Sequence, residues 1–374
     1  MTSRGSATAT RDPAAARTIS FAHLRRMMVP AGIVQFARRD EPDLSTGTCL
    51  DDNARTWLVA IHALAADPPV NAGAADEIGE RAMTFVEYAQ HADGLFFNMA
   101  DIDGRPLEDV GSDESIGRAV WSIGTAVRCA PEPAWRRVAT GLLDRALPAV
   151  QRVNATHARA YAMLGLCAVL SPESAWPLRR AETQLPAPLR ARARASLDRI
   201  ADAFVATLRA HEKSRWPWWS DALTWGNARL PEALLRLAIA TGDERYARDG
   251  LRALDFLASI TQPSDMFVPI GNGGWYPRGG VRAVHDQQPI EACAMVDAWL
   301  AAHAWTRDPR YLDRARIAYE WFTGRNTEKL PVAVPQTGGC CDGLQPAALN
   351  ENQGAESTLS FLHASLAMRA ATGP

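Results

Sequence analysis

Apolar and polar positions along the chain alternate in blocks rather than residue by residue. A short polar cluster opens a run that is apolar nearly all round. A second run follows with its charges along one face. The clearest case is Thr48-Cys49-Leu50-Asp51-Asp52-Asn53-Ala54-Arg55, which sets two acids, an amide and an Arg ahead of Thr56-Trp57-Leu58-Val59-Ala60-Ile61. Asp and Asn accept hydrogen bonds from the free N–H groups of a first helical turn. A helix is therefore predicted over about 52–66, stopped by Asp67-Pro68-Pro69. A helix over about 74–91 follows, with Asp76, Glu77, Glu80, Arg81 and Glu87 along one face.

The same design recurs. Apolar helices are predicted to begin near residues 52, 114, 157, 228, 289 and 356. Charged helices over about 74–91, 132–147, 186–211, 243–260 and 309–323 lie between them, and 19–28 supplies a sixth. Helices apolar all round are buried, and those with one charged face are peripheral. The alternation predicts an inner ring and an outer ring, an all-α (α/α)6 toroid in a single domain over 18–374. Self-similarity at a long period is the mark of such repeat architectures. No period-2 alternation is long enough for a central sheet, although the Trp-, Gly- and Pro-rich loops have room for short strands. Residues 1–17 read as a disordered segment.

Composition narrows the function. The chain has 374 residues, 40 basic and 42 acidic, for a net charge of −2. That balance predicts no nucleic-acid partner and no anionic-membrane surface. No apolar run reaches the roughly 20 residues that span a bilayer, so no membrane insertion is expected. Six Cys without a C-x-x-C pair predict reduced thiols and a cytoplasmic location. Adjacent Cys340 and Cys341 are poorly spaced for tetrahedral zinc, and no metal or cofactor is expected.

If the inner helices run in one direction, their polar N-terminal clusters meet at one end of the ring. That end would gather Asp51, Asp52, Asn53, Glu114, His157, Asn227, Arg229, Asp286, Gln287, Gln288, Glu291 and Glu356. Trp219, Trp225 and Trp275 lie in the preceding loops. Acids and amides bind hydroxyls, and Trp rings lie against apolar sugar faces. A concave site with a few convergent polar groups is the usual form of a ligand pocket.

Four phrases carry a resemblance: Thr-Cys-Leu-Asp-Asp-Asn-Ala-Arg (48–55), Asn-Ala-Arg-Leu-Pro-Glu-Ala-Leu-Leu (227–235), Asp-Gln-Gln-Pro-Ile-Glu-Ala (286–292) and Asn-Gln-Gly-Ala-Glu-Ser-Thr-Leu (352–359). In architecture the chain resembles the six-hairpin glycosidase superfamily. Over residues 30 to 370 it is similar to a bacterial group whose members often carry a glycosyltransferase label. That label does not suit this chain, which has no Rossmann-like βαβ pattern and no sugar-nucleotide signature. The resemblance implies a carbohydrate, an oligosaccharide or glycoconjugate, as substrate.

Three functions follow as expectations. The first is a glycoside hydrolase, which needs two carboxylates flanking the scissile bond. Asp52 with Asp286 is the expected pair and Glu356 the reserve, with inversion favoured by the room that opposed inner helices leave for water. The second is a sugar epimerase of the acylglucosamine-epimerase type, whose chemistry asks for His as acid and base. Only His157 and His285 are well placed for that. The third is a non-catalytic glycan-binding protein. Each acid also has a plainer role as a cap or first-turn residue stabilised by the helix dipole.

Overall fold

A computed structural model describes residues 19–171, 185–213 and 215–373. The segment 1–17 lies outside the described residues. Twelve helices account for the described architecture. They are α1 (Ala22–Met27), α2 (Leu50–Ala65), α3 (Ala72–Ala89), α4 (Asp113–Cys129), α5 (Pro133–Val150) and α6 (Thr156–Leu170). The series continues with α7 (Ala187–His211), α8 (Arg229–Thr241), α9 (Glu244–Thr261), α10 (Pro289–Thr306), α11 (Arg310–Glu320) and α12 (Ala355–Thr372).

The even-numbered helices pack in a closed circuit, α2 on α4, α4 on α6 and so on until α12 returns to α2. Each odd-numbered helix packs outside one of them, with α1 against α12. This is the predicted (α/α)6 toroid. Composition explains the division. Nearly every residue of α4 and of α10 is buried, whereas α11 buries only Ala315 and Ala318. The closest approach in the ring is between α4 and α6. A Cβ on Gly124 would meet the carbonyl oxygen of Gly165 at 2.1 Å, and only glycine fits there.

The helix starts differ from the sequence expectation in one respect. Neither Asp51 nor Asp52 caps α2. Extended Cys49 occupies the cap position without a side-chain bond, and the N–H of Asp51 donates to the side-chain oxygen of Asn98. Asp113 does cap a helix, but a neighbouring one: its carboxylate accepts the N–H groups of Asn154 and Ala155 just before α6, at 2.7 and 2.9 Å. Its own helix is capped by Ser112.

Short strands occupy the loops, as the spacing allowed. Thr48–Cys49 pairs with Met99–Ala100, and Ala222–Leu223 pairs with Tyr276–Pro277. Gly343–Gln345 pairs with Ala348–Asn350, and Leu344 also bridges to Gln287. Every one of these pairings joins segments that precede inner helices. The inner helices therefore start at one end of the ring, inside a rim stitched together by backbone hydrogen bonds. Among the described residues no helix is long and apolar enough to cross a membrane.

Candidate active site

Going round that rim, charged side chains meet from helix to helix. The Arg55 guanidinium, one turn into α2, donates to Asp52 at 2.5 Å and to Glu356 of α12 at 2.8 Å. One cation thus links two carboxylates from opposite ends of the chain. Asp52 also accepts the Cys49 thiol at 3.1 Å, and its carboxylate is 3% exposed. Glu356 is surrounded by protein, yet 40% of its side chain stays open to solvent.

The environments of these acids differ. Burial raises Asp52, and the attraction of Arg55 does not fully reverse it. Burial also works against ionisation of Glu356, but Arg55 and Arg118 together hold it below the usual carboxylate range. Asp342, in the turn before α12, is pushed up to about 6 by burial, with the nearby charges of Glu356 and Asp52 adding to the rise. Asp342 accepts the Gly354 N–H at 3.2 Å and the Asn352 amide, which fixes it beside the start of α12.

Further round, Arg118 of α4 lies 3.6 Å from Asp51 and against the rings of Tyr161 and Trp225. Trp225 stacks on His157 with ring centroids 4.3 Å apart. Burial lowers His157 to about 4, so it is neutral at physiological pH. Glu291 of α10 accepts the Gly226 N–H and, at 3.1 Å, the Asn227 amide. It therefore clamps the loop that carries Trp225, and burial raises it to about 7.

Inside the rim a narrow cavity, with room for only a few atoms, runs down the ring axis. Its wall includes Arg55, Arg118, Arg229, Trp121, Tyr161 and His363. Behind it Arg229 is locked to Glu232 at 2.7 Å and to Asp297 at 2.6 Å, while His363 reaches Asp297 at 2.9 Å. Cys293, Asp297 and His363 are close enough to hold a cation. The Arg229 guanidinium already donates to both Cys293 and Asp297, and so supplies the positive charge at that point. All six Cys are buried free thiols.

The residues singled out in the sequence are dispersed among three situations. Asp51, Asp52, Glu356, His157 and Trp225 gather around Arg55 and Arg118 of the cavity wall, with Asp52 itself buried. Glu114, Trp275, Asp286 and Gln288 are half-buried on the rim. No hydrogen bond or ion pair among the described residues joins the Asp286 carboxylate to the Arg55 cluster, and its backbone has φ +57°. The rest are buried. Trp219 is 1% exposed and donates its indole N–H to Phe204. Gln287 is spent on Val284, Thr327 and Trp321. Asn53 ties Ile33 to Cys49, Asn227 bonds within its own turn and to Glu291, and Arg229 is the buried ion-pair partner described above. Hydrogen bonds and packing hold Trp219, Gln287, Asn53 and Asn227 within the frame, whereas Arg229, though ion-paired, also forms part of the cavity wall.

Arg55, Arg118, Tyr161 and Asp342 were not singled out as site residues. Arg55 sat in view, four residues beyond Asp51, where helical spacing puts both on one face. Arg118 and Tyr161 lie inside apolar helices, where nothing local marks them.

No protein-family model matches the chain, and no curated protein matches it in sequence. Solved structures do match in fold. A sugar epimerase from a ruminal bacterium superposes with a TM-score of 0.65 at 11% identity, covering 96% of this chain and 97% of its own. Cellobiose 2-epimerase from Spirochaeta thermophila gives 0.64 at 14% identity, covering 94% and 92%. A GH76 α-mannanase from Bacteroides thetaiotaomicron gives 0.58 at 12% identity, covering 87% of each chain. The chain has the six-hairpin (α/α)6 fold of these proteins.

Proposed function

We propose that the protein is a carbohydrate-active enzyme and, within that class, a glycoside hydrolase. One observation carries the narrower step: two carboxyl groups beside the start of α12, near enough to act on each other's charge, sit in environments that push them apart, next to the cavity-wall residue Arg55. Glu356 keeps 40% of its side chain open to solvent and is held ionised by Arg55 and Arg118. Asp342 stands near it with its proton retained to about pH 6. Two carboxyl groups whose environments push them apart are the usual division into base and acid. Glu356 is assigned as base or nucleophile and Asp342 as proton donor, with Asp52 positioning Arg55. Asp286, from the adjoining loop, is the other candidate donor. Trp225 and Trp275 supply faces for the sugar ring, and Glu114 and Gln288 supply hydroxyl partners. The fold neighbours support a sugar substrate, since those named above are a sugar epimerase, a cellobiose epimerase and a mannanase.

The epimerase neighbours also favour a second reading, epimerisation next to a sugar carbonyl. Two imidazoles are available to it, His363 in the cavity wall and His157, which stays neutral and stacked on Trp225. One experiment separates the two chemistries. A panel of oligosaccharides is incubated with enzyme in D2O and followed by NMR. A hydrolase releases new reducing ends, with the first anomer formed reporting inversion or retention, and leaves carbon-bound hydrogens in place. An epimerase exchanges deuterium into C2 and cleaves nothing. Exchange without cleavage would sink the hydrolase assignment, and binding with neither would reduce the protein to a glycan receptor.

A further inference from the structure

Arg118 is the cavity guanidinium that no hydrogen bond among the described residues engages, its counter-charges being Asp51 at 3.6 Å and Glu356, which it helps to hold ionised. Arg55 is engaged by Asp52 and Glu356, and Arg229 by Glu232 and Asp297. The Arg118 side chain is only 7% exposed, which is deep burial for a guanidinium. Its Nε lies 3.6 Å from Asp51, too far for a good hydrogen bond, and is without a hydrogen-bond partner. Among the described residues no hydrogen bond engages either terminal amino group. The rings of Tyr161 and Trp225 fix the guanidinium in place, 4.8 and 5.4 Å from its carbon. The rest of the wall includes the apolar Leu58, Val59, Ile290 and Leu359, with Cys293, Ser360 and His363 as its polar members. A buried donor left unmade is expensive, and a low-dielectric wall makes it more so.

We propose that this cavity receives an oxyanion substituent of the substrate sugar, such as a carboxylate, sulfate or phosphate group, with Arg118 as its partner. The inference rests on the sugar-site reading above and sharpens it to acidic glycans. Two features support an appended group rather than a whole ring. The cavity has room for only a few atoms, and the acids and Trp225 stand against its wall residues Arg55 and Arg118. A guanidinium, with its planar set of donors, matches an oxyanion better than it matches a hydroxyl.

The test is calorimetric titration with matched pairs: methyl glucuronide against methyl glucoside, and glucose 6-sulfate and glucose 6-phosphate against glucose. Sodium sulfate serves as an anion without a sugar. The acidic member of at least one pair is expected to bind tenfold or more tighter than its neutral twin, and the pair that does so identifies the oxyanion. Arg118→Gln should bring that pair to equal affinity, and Arg118→Lys should recover only part of the difference. Circular dichroism and melting of both variants check that they are folded, and Arg118→Lys keeps the test open if Arg118→Gln fails to fold. Equal affinity within every pair in wild type overturns the proposal while leaving a sugar site standing. So does an Arg118→Gln loss that is the same for both members. If no sugar binds but sulfate binds wild type and not Arg118→Gln, the anion site stands and the sugar reading falls. If neither sugars nor sulfate bind, both fall.

Discussion

Two charged clusters share the interior of this ring, and they are built from the same residue types. The upper one is Arg55 with Asp52 and Glu356. The lower one is Arg229 with Glu232, Asp297 and His363. Asp297 and His363 each lie eight residues into their helices, about 12 Å along the axis at 1.5 Å per residue. In the lower cluster every side chain is between 0 and 6% exposed, and each charge has its counter-charge in contact. Burial disfavours the charge on Asp297, yet His363 and Arg229 hold it ionised. Both clusters pair a raised acid with a lowered one, Glu232 with Asp297 below and Asp52 with Glu356 above, but only in the upper cluster is an acid accessible, Glu356 keeping 40% of its side chain open. Compensation without access makes a support, whereas partial compensation with access leaves a group free to react.

The contrast breaks most readily from below. Arg229→Met removes the cation shared by two buried carboxyl groups, leaving Glu232 only Arg236 at 3.5 Å and Asp297 only His363, and should destabilise the fold by about 3–5 kcal/mol. Urea denaturation measures it, and a loss under about 1 kcal/mol would mean that the lower cluster is not a support. Glu356→Gln should do the reverse. An ion pair this exposed contributes about 0–1 kcal/mol, so stability should barely move. Turnover should fall by about 10²–10⁴, the typical worth of an acid or base. Asp52→Asn should lose turnover too, through misplacement of Arg55. Near-wild-type turnover of both variants on a cleaved glycan would make these acids mere scaffolding.

Glu291 lies between the two cases, on the rim yet closed off, and its proton reports which side it belongs to. Burial raises it to about 7, above the ordinary 4.5. The folded state therefore holds a proton that the unfolded chain has released. The associated stability is fully present below about pH 4.5 and is lost as pH rises through 7. Unfolding free energies in urea at pH 5, 6, 7 and 8 should fall by up to about 1.4 kcal/mol per pH unit on this account. Glu291→Gln should remove that part of the slope. An unchanged slope in the variant would assign the pH dependence to other groups.

The ring itself was legible in the sequence because the starts of the apolar helices obey local rules. Asp and Ser clusters, Pro289 at a first helical position and Pro68-Pro69 after α2 act within a few residues. The site was legible only in part. Asp52 and Glu356 sit at helix starts, so one rule located them together. Trp219, Gln287 and Arg229 obey the same rule and are buried, because rim pairing and interhelical contacts between residues distant in sequence decide which way a side chain faces. The Arg55–Glu356 bond spans 301 positions. Asp342 lies in a Gly- and Cys-rich turn whose strand pairing with 348–350 gives no periodic signal.

The finest test of the upper cluster concerns Cys49. Its thiol donates to Asp52 at 3.1 Å and stays protonated, since burial and the neighbouring acids Asp52 and Asp51 push it well above its ordinary value. A donor favours the ionised form of the acid it reaches. Removing it in Cys49→Ala should therefore raise Asp52 further and weaken its hold on Arg55 at acid pH. A hydrogen bond of about 0.5–1.5 kcal/mol corresponds to a shift of about 0.4–1 pH unit. The acid limb of the pH–activity profile should move up by that amount, with activity recovered at pH 8. Cys49→Ser retains a donor and should hold the limb near its wild-type position. A limb that moves equally in both variants would trace to packing around Cys49. A limb that moves in neither would mean that Arg55 alone sets the charge of Asp52, and the upper cluster would then be as fully compensated as the lower one.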